Sequence, residues 1–110
     1  MLLDENPHYA ARWRTYYHVT NRQNVPAIRA HGLDPYKSLR EAQRVWLADL
    51  AVLPWAIGHV SRSHGWTMGE IVILRITLPV GELTTHRSGV YYTRARIPAR
   101  FVGFGLACQY

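Results

Sequence analysis

The chain of 110 residues is long enough for one packed domain, and its 48% apolar and 18% charged residues are typical of a globular protein. The longest apolar stretches, 50–53 and 71–74, are far shorter than the roughly 20 residues of a transmembrane helix. The N-terminus has neither the basic flank nor the apolar core of a signal peptide. Cys108 is the only cysteine, which excludes an internal disulfide and a cysteine-rich zinc site. We therefore expect a single domain over 1–110, located in the cytoplasm and without a membrane partner.

The charge is strongly basic and unevenly distributed. Thirteen basic residues against seven acidic ones give a net charge of +6, and Lys37 is the only lysine. Arginine binds phosphate with two parallel hydrogen bonds and stacks on bases, so RNA, DNA or a dinucleotide is a suitable partner. A GC-rich genome would also favour arginine over lysine, but it does not explain the net charge. The last 28 residues carry four arginines and no carboxylate: Arg87, Arg94, Arg96 and Arg100.

The first half of the chain predicts a strand and then a helix. Residues 1–14 look like an irregular or partly helical lead-in, and 15–20 (TYYHVT) is β-branched and aromatic, as strands are. Asn24 is a suitable N-cap for the helix that follows, because Pro26 then falls in the first turn, where its missing N–H costs nothing. The helix is expected to end at Gly32, which is a natural C′ residue.

A loop at 34–38 leads to a second strand and a second helix. Residues 44–48 (RVWLA) predict a short strand. Asp49 is placed to cap the next helix, with Pro54 limiting its start and Gly65 ending it. Three residues of this helix are expected to share part of one face: Trp55, Ile57 and Val60.

The last third of the chain predicts three strands. Residues 70–78 (EIVILRITL) form a strand closed by Pro79, and 88–95 (SGVYYTRA) form another. Pro98 begins a short turn before a last strand at 101–107. The order β-α-β-α-β-β-β predicts an α+β fold.

Several of these segments together resemble a known family. They are YHVT at 17–20, the helix ending in Gly-Leu at 24–33, RVWLA at 44–48, the basic loop ending in Gly at 61–65 with the strand 71–78, and the closing segments 88–93 and 97–102. In this order and spacing they resemble the catalytic lobe of the tRNA 2′-phosphotransferases, which belong to the ADP-ribosyltransferase superfamily. The resemblance covers roughly residues 16–102 and implies a compact split β-sheet core with two short helices.

The resemblance also implies an activity with NAD as substrate. The enzyme would break the bond between ribose and nicotinamide and transfer ADP-ribose to a nucleic-acid phosphate or a protein. His18 would hydrogen-bond a ribose hydroxyl of the adenosine side, the Val19 backbone would pair with the nicotinamide carboxamide, and the Thr20 hydroxyl would contact the nucleotide. An aromatic face from Trp46, Trp55 or Tyr92 would stack on the nicotinamide ring.

Arginines would supply the charge that such chemistry needs. Arg22 and Arg62 lie in loops where they would neutralise the diphosphate or an acceptor phosphate, which makes Arg62 a catalytic candidate together with His18. Arg94 and Arg96 are two residues apart, so on a strand they would point to one face and bind nucleic acid.

The chain departs from the family at several points. Val19 replaces a glycine, and Trp46 stands where the family has a second histidine. Other ADP-ribosyltransferases have a late glutamate, whereas no acid follows Glu82 here; Val90 or Tyr91 would be the counterpart. The 14 residues before the predicted strand are too few for the family's basic N-terminal lobe, which we therefore expect to be missing. We therefore expect ADP-ribosylation of a phosphate, or simple NAD hydrolysis, rather than complete phosphate removal.

Each candidate residue also has a structural interpretation. His18 would be a half-buried histidine with a backbone partner, Trp46 and Trp55 would be core residues, and Arg62 would be a solvated helix end. His59 and His64 are five residues apart, which does not fit a helical zinc pair. These interpretations leave two alternatives open: a catalytically degenerate module that binds nucleotide or RNA, and a toxin or effector with the same fold and another target.

Overall fold

The computed structural model describes residues 12–37 and 43–104, and in these ranges it is an α+β fold with one six-stranded sheet and two helices. The strands are β1 Trp13–Asn21, β2 Val45–Ala48, β3 Ile71–Pro79, β4 Thr84–Arg87, β5 Val90–Thr93 and β6 Val102–Gly103. The helices are α1 Val25–His31 and α2 Leu53–His64. All strand pairs are antiparallel, in the spatial order β4-β5-β2-β1-β3-β6. Neither described helix is long and apolar enough to cross a membrane.

The sheet is much more strongly paired on one side of β1 than on the other. β1 and β3 pair over nine consecutive positions, from Trp13↔Pro79 to Asn21↔Ile71. On its other side β1 is joined to β2 by the single pair Tyr17↔Ala48. The described sheet therefore consists of two halves, β6-β3-β1 and β4-β5-β2, which meet at one point.

Each face of the sheet packs on one helix. Tyr16, Leu74 and Ile76 point to the face that is covered by Ile28 of α1, which we call the α1 face. Tyr17, Val19, Ile71 and Ile73 point to the opposite side, where Leu53 and Ile57 of α2 cover them, and we call this the α2 face. The two sets of residues lie on opposite faces of the sheet because successive side chains of a strand alternate between its faces.

Glycines end both helices, as the sequence predicts. Gly32 follows α1 with a φ of 79°, and a Cβ there would collide with the carbonyl oxygen of Ile97. Gly65 follows α2 in the left-handed region, with a φ of 70°. Asp49 also caps as predicted, although its side chain accepts from the N–H of Val52 and so begins a short 3-10 turn ahead of α2.

The start of the described chain differs from the prediction. Trp13 and Arg14 are strand residues rather than part of an irregular lead-in, because they pair with Pro79 and Leu78. Arg12, just before β1, accepts from the N–H of Val80 at 2.8 Å, and residues 1–11 of the predicted lead-in lie outside the described ranges. Asn24 does not cap α1 through its side chain, since its amide donates to the Thr20 hydroxyl at 3.0 Å.

The second helix is oriented differently from the prediction. Leu53 and Ile57 are its buried residues, and Val60 is half-buried. Trp55 is 46% exposed and stacks on His59, so the expectation that it shares the face of Ile57 was wrong. Two residues along a helix are about 200° apart, which turns Trp55 away from the side that carries Leu53.

The C-terminal third contains a strand that the sequence did not predict. All four residues of β4 are exposed, so the strand has no apolar alternation, and it pairs with β5 across a turn at Gly89 with a φ of 82°. β5 covers only part of the predicted 88–95. β6 is two residues long, and 105–107 of the predicted strand 101–107 lie outside the described residues. The predicted loop 34–38 contains the 3-10 turn Pro35–Lys37, with its last residue also outside the described ranges.

Candidate functional site

His18 lies where β1 separates from β2. Beyond the pair Tyr17↔Ala48 no ladder pair joins these two strands, and the His18 side chain reaches the β2 backbone instead. Its Nδ1 donates to the backbone oxygen of Trp46 at 2.8 Å. A carbonyl oxygen only accepts, so the proton of the neutral ring is on Nδ1 and Nε2 is left as an acceptor.

The surroundings keep this ring neutral. Burial lowers the pKa of His18 below its ordinary value, and the hydrogen bond to the Trp46 carbonyl opposes that shift without cancelling it. Burial acts in this direction because it penalises the charged imidazolium. At neutral pH His18 is therefore suited to accept a hydrogen bond from a hydroxyl group and not to bind a phosphate as a cation.

The backbone of β1 beside His18 has an incompletely paired edge. From His18 to Asn21 the strand is paired with β3, while β2 offers no ladder partner over the same residues. Successive residues of a strand direct their N–H and C=O groups to opposite sides, so some of these groups face the gap. Such an edge is suited to pair with an amide group. Val19, which was expected to do so, lies opposite Ile73, and its side chain packs on the α2 face.

Thr20 and Arg22 lie at the end of β1. Thr20 is buried, and its hydroxyl accepts from Asn24, which ties the start of α1 to the strand. Arg22 is exposed, and its Nη2 is 3.4 Å from the carbonyl oxygen of Gly69. The prediction of a loop at 61–65 was wrong for Arg62, because residues 61–64 are the last turn of α2, and there its exposed guanidinium lies over Gly58. No hydrogen bond joins His18 to either arginine in the described part of the chain.

The predicted aromatic platform is on the other face of the sheet from the His18 side chain. Trp46 and Tyr92 are opposite each other in the β2–β5 ladder, with ring centroids 5.3 Å apart. Ala48 is paired with Tyr17 and therefore lies on the α2 face. Trp46, two residues earlier on β2, and its ladder partner Tyr92 lie on this same face, whereas His18 and Thr20 point to the α1 face. Trp55 is remote from both groups, on the outer side of α2.

Two residues that contact Trp46 and Tyr92 were not among the predicted site residues. The Arg44 guanidinium lies over the Tyr92 ring at 4.4 Å from its centroid, and the His86 ring packs edge-on against Trp46 at 5.0 Å. Arg44 and Trp46 are two residues apart in the predicted strand 44–48, and this spacing places two side chains on the same face of a strand. No such signal existed for His86, because β4 itself was not predicted.

The two arginines predicted to bind nucleic acid are separated. Arg94 lies near Tyr92, at 5.7 Å from the ring centroid. Arg96 instead contacts Asp34 at 3.3 Å and the carbonyl oxygen of His31 at 3.4 Å, which ties it to the end of α1. β5 ends at Thr93, so the strand alternation that would align them no longer applies. Of the other two C-terminal arginines, Arg87 is exposed on β4 and Arg100 lies over Phe101.

The described residues contain no group of three or more metal-ligating side chains. The Nδ1 of His64 donates to the carbonyl oxygen of Val60, and its ring stacks on Trp66 at 4.3 Å. His59 stacks on Trp55. Both histidines that were considered for zinc thus have aromatic partners, and Cys108 lies outside the described ranges.

Comparison with known proteins adds no assignment. No protein-family model, no curated protein and no solved structure matches the chain.

Proposed function

We propose that this protein is a small NAD-dependent ADP-ribosyltransferase with the split-sheet core of that superfamily. The observation that carries the proposal is the orientation of His18: its Nδ1 is held by the Trp46 carbonyl, and its Nε2 is left as an acceptor at the point where the two halves of the sheet separate. The weak joint between β1 and β2 supports the split core. The sequence blocks around His18 support the choice of NAD.

The reaction follows from these groups. The bond between C1′ of the ribose and the nicotinamide nitrogen breaks, and its electron pair leaves with the nicotinamide. An acceptor oxygen, from a nucleic-acid phosphate, a protein or water, then bonds to C1′. The neutral His18 accepts a hydrogen bond from a hydroxyl of the adenosine ribose. The incompletely paired edge of β1 binds the carboxamide, and the exposed Arg22 and Arg62 attract the diphosphate.

Two substitutions at position 18 test this role separately from the structural one. His18→Asn places an amide N–H near the position of Nδ1 and retains a donor to Trp46, but it removes the acceptor at Nε2. We expect the variant to stay folded and to lose about tenfold or more in NAD affinity or in nicotinamide release. Calorimetry with NAD and chromatographic detection of nicotinamide measure the two effects.

The matched variant is His18→Gln, whose longer side chain reaches the position of Nε2 and gives up the bond to Trp46. It should be less stable than His18→Asn and retain more of the NAD affinity. The proposal fails if the wild-type protein shows no saturable heat with millimolar NAD, or if His18→Asn binds NAD as well as the wild type does.

A second candidate function is a nucleotide- or RNA-binding module without catalysis. The observation that favours it is the position of Trp46 and Tyr92, which lie on the α2 face and so do not form a platform beside the His18 side chain. Saturable binding of NAD or RNA with no release of nicotinamide, under conditions where the protein is folded, would select this candidate.

A further inference from the structure

A group of five side chains on the α2 face combines arginines with aromatic rings. Arg44 and Trp46 come from β2, His86 from β4, and Tyr92 and Arg94 from β5 and the residue after it; we call them the Arg44–Trp46 cluster. The Arg44 guanidinium lies 4.4 Å from the Tyr92 centroid and 5.7 Å from the Trp46 ring. The cluster lies away from the His18 side chain, because the two occupy opposite faces of the sheet.

Two hydrogen-bond donors in this cluster have no acceptor among the described residues. Arg44 Nε and Trp46 Nε1 are both shielded from solvent, and neither has a hydrogen-bond partner within 12–37 and 43–104. Both atoms only donate, so a neighbouring donor cannot satisfy them. An unmet buried donor costs free energy, and the great majority of such groups in proteins are paired. The oxygens of an anionic ligand would satisfy both atoms.

None of the four described carboxylates, Asp34, Asp49, Glu70 and Glu82, forms an ion pair with this cluster. Asp34 contacts Arg96, and Asp49 caps the turn before α2 with Arg14 at 3.8 Å. Glu70 accepts from Thr67 in a capping box. Arg44 and Arg94 have no ion pair within these ranges, and the whole chain carries a net charge of +6. The exposed edge strand β4 adds Arg87 beside the cluster.

We propose that the Arg44–Trp46 cluster binds the backbone phosphates of a single-stranded nucleic acid. A phosphate oxygen accepts from Arg44 Nε and Trp46 Nε1, and Arg94 contributes a second positive charge. The exposed His86 ring packs edge-on against the indole of Trp46. A change of the His86 rotamer would give the nucleic acid access to the indole N–H. Aromatic rings interleaved with arginines on an open sheet are the features that hold single strands, through stacking and phosphate contacts. This site is separate from the proposed NAD site and does not depend on it.

The test uses a short fluorescent single-stranded RNA without terminal phosphates, titrated in the absence of NAD and followed by anisotropy. Arg44→Gln is compared with Arg29→Gln, which removes the same charge from α1, where that guanidinium lies over Phe104 at 4.3 Å. Arg44→Gln is expected to weaken binding about tenfold and to reduce the slope of log K against log salt by about 0.7, because one phosphate contact is lost. Arg29→Gln should change affinity less than about twofold, through net charge alone. Trp46→Phe replaces the indole by a smaller aromatic ring that has no N–H, so it should weaken binding while circular dichroism shows the native fold.

Three results would overturn the inference. They are undetectable RNA binding at low salt, equal weakening by Arg44→Gln and Arg29→Gln, and displacement of the RNA by polyglutamate as effectively as by unlabelled RNA. The last result would assign the surface to an acidic protein. His18→Asn keeps the results distinct from the proposed enzyme activity, since it should lose NAD binding and bind RNA like the wild type.

Discussion

At the scale of single residues, His18 shows how one hydrogen bond determines what a side chain can do. The Trp46 carbonyl fixes the tautomer, and burial keeps the ring neutral. A histidine free in water would offer either nitrogen and would gain a proton near pH 6.5. Here only Nε2 is left to accept, which favours a hydroxyl-bearing ligand over a phosphate.

The lowered pKa of His18 predicts how stability depends on pH. The unfolded chain binds a proton at His18 at a higher pH than the folded chain does, so acidification favours unfolding. The free energy of unfolding should be constant above about pH 7 with respect to this group, and should decrease as the pH falls from about 6.5 toward the lowered pKa. Urea denaturation across this range measures the effect. His18→Asn should lose this part of the pH dependence, and an unchanged profile in that variant would assign it to other groups.

Gly32 occupies a position that only glycine can fill without strain. It combines a φ of 79° with a carbonyl oxygen from Ile97 in the space that a Cβ would occupy. Gly32→Ala should therefore lower the free energy of unfolding by more than about 2 kcal/mol, through strain and displacement of the 97–99 segment. Gly81→Ala is the matched control, because Gly81 also has a positive φ, of 97°, but open space around it. It should cost about 1 kcal/mol. Equal losses in the two variants would show that the close approach to Ile97 is unimportant.

At the scale of elements, α2 demonstrates the limits of local pattern. The helix contains apolar residues on more than one side, so the sequence does not determine which side faces the sheet. In the structure Leu53 and Ile57 pack on Ile71 and Ile73. Trp55 stacks on His59 instead, and both lie toward solvent.

The orientation of α2 predicts unequal effects of two truncations. Ile57→Ala should cost about 2–5 kcal/mol of unfolding free energy, because it opens a cavity in the packed layer between α2 and the sheet. Trp55→Ala removes a larger side chain but should cost less than about 1.5 kcal/mol, since that ring is 46% exposed and already in contact with water. Chemical denaturation of both variants measures the difference. A larger loss for Trp55→Ala would mean that the helix packs through its other side.

At the scale of the whole molecule, the two halves of the sheet differ in how firmly they are held. The β1–β3 ladder has nine pairs and includes Leu74 and Ile76, which are both 0% exposed. The half formed by β4, β5 and β2 ends in an exposed edge strand and meets β1 at one pair. The β4-β5-β2 half is therefore joined to β1 less firmly than β3 is.

This difference predicts a gradient of hydrogen exchange. The amides of β3 should exchange slowest, through global unfolding, because the strand is largely buried, pairs with β1 over nine positions and pairs with β6 at Arg75 and Ile76. The amides of β4 should exchange faster by orders of magnitude, since local opening of an exposed edge is enough. Exchange followed by NMR or mass spectrometry measures both rates. Uniform protection over the six strands would contradict the division of the sheet into a firm and a weakly joined half.

The sequence by itself predicted the α+β class, most of the strands and the ends of both helices, because these depend on local rules. Alternation and β-branching indicated β1 and β3, and the positive φ of Gly32 and Gly65 needs a residue without a side chain. It also indicated that a basic surface would be present, since net charge is a property of composition. It placed His18 and Thr20 on one strand and Trp46 and Tyr92 on others, without determining how these strands face each other.

Only the tertiary structure determined which of these residues meet. β4 has no apolar pattern and exists because β5 offers it a hydrogen-bonding edge. The pair Tyr17↔Ala48 sets the register of the two halves, and that register places the Trp46 carbonyl at His18 while sending the Trp46 ring to the opposite face. Arg44 and Arg94 come together with Tyr92 through the same pairing. A one-residue change of register would move every side chain of β2 to the other face, so these contacts depend on long-range pairing that local sequence does not specify.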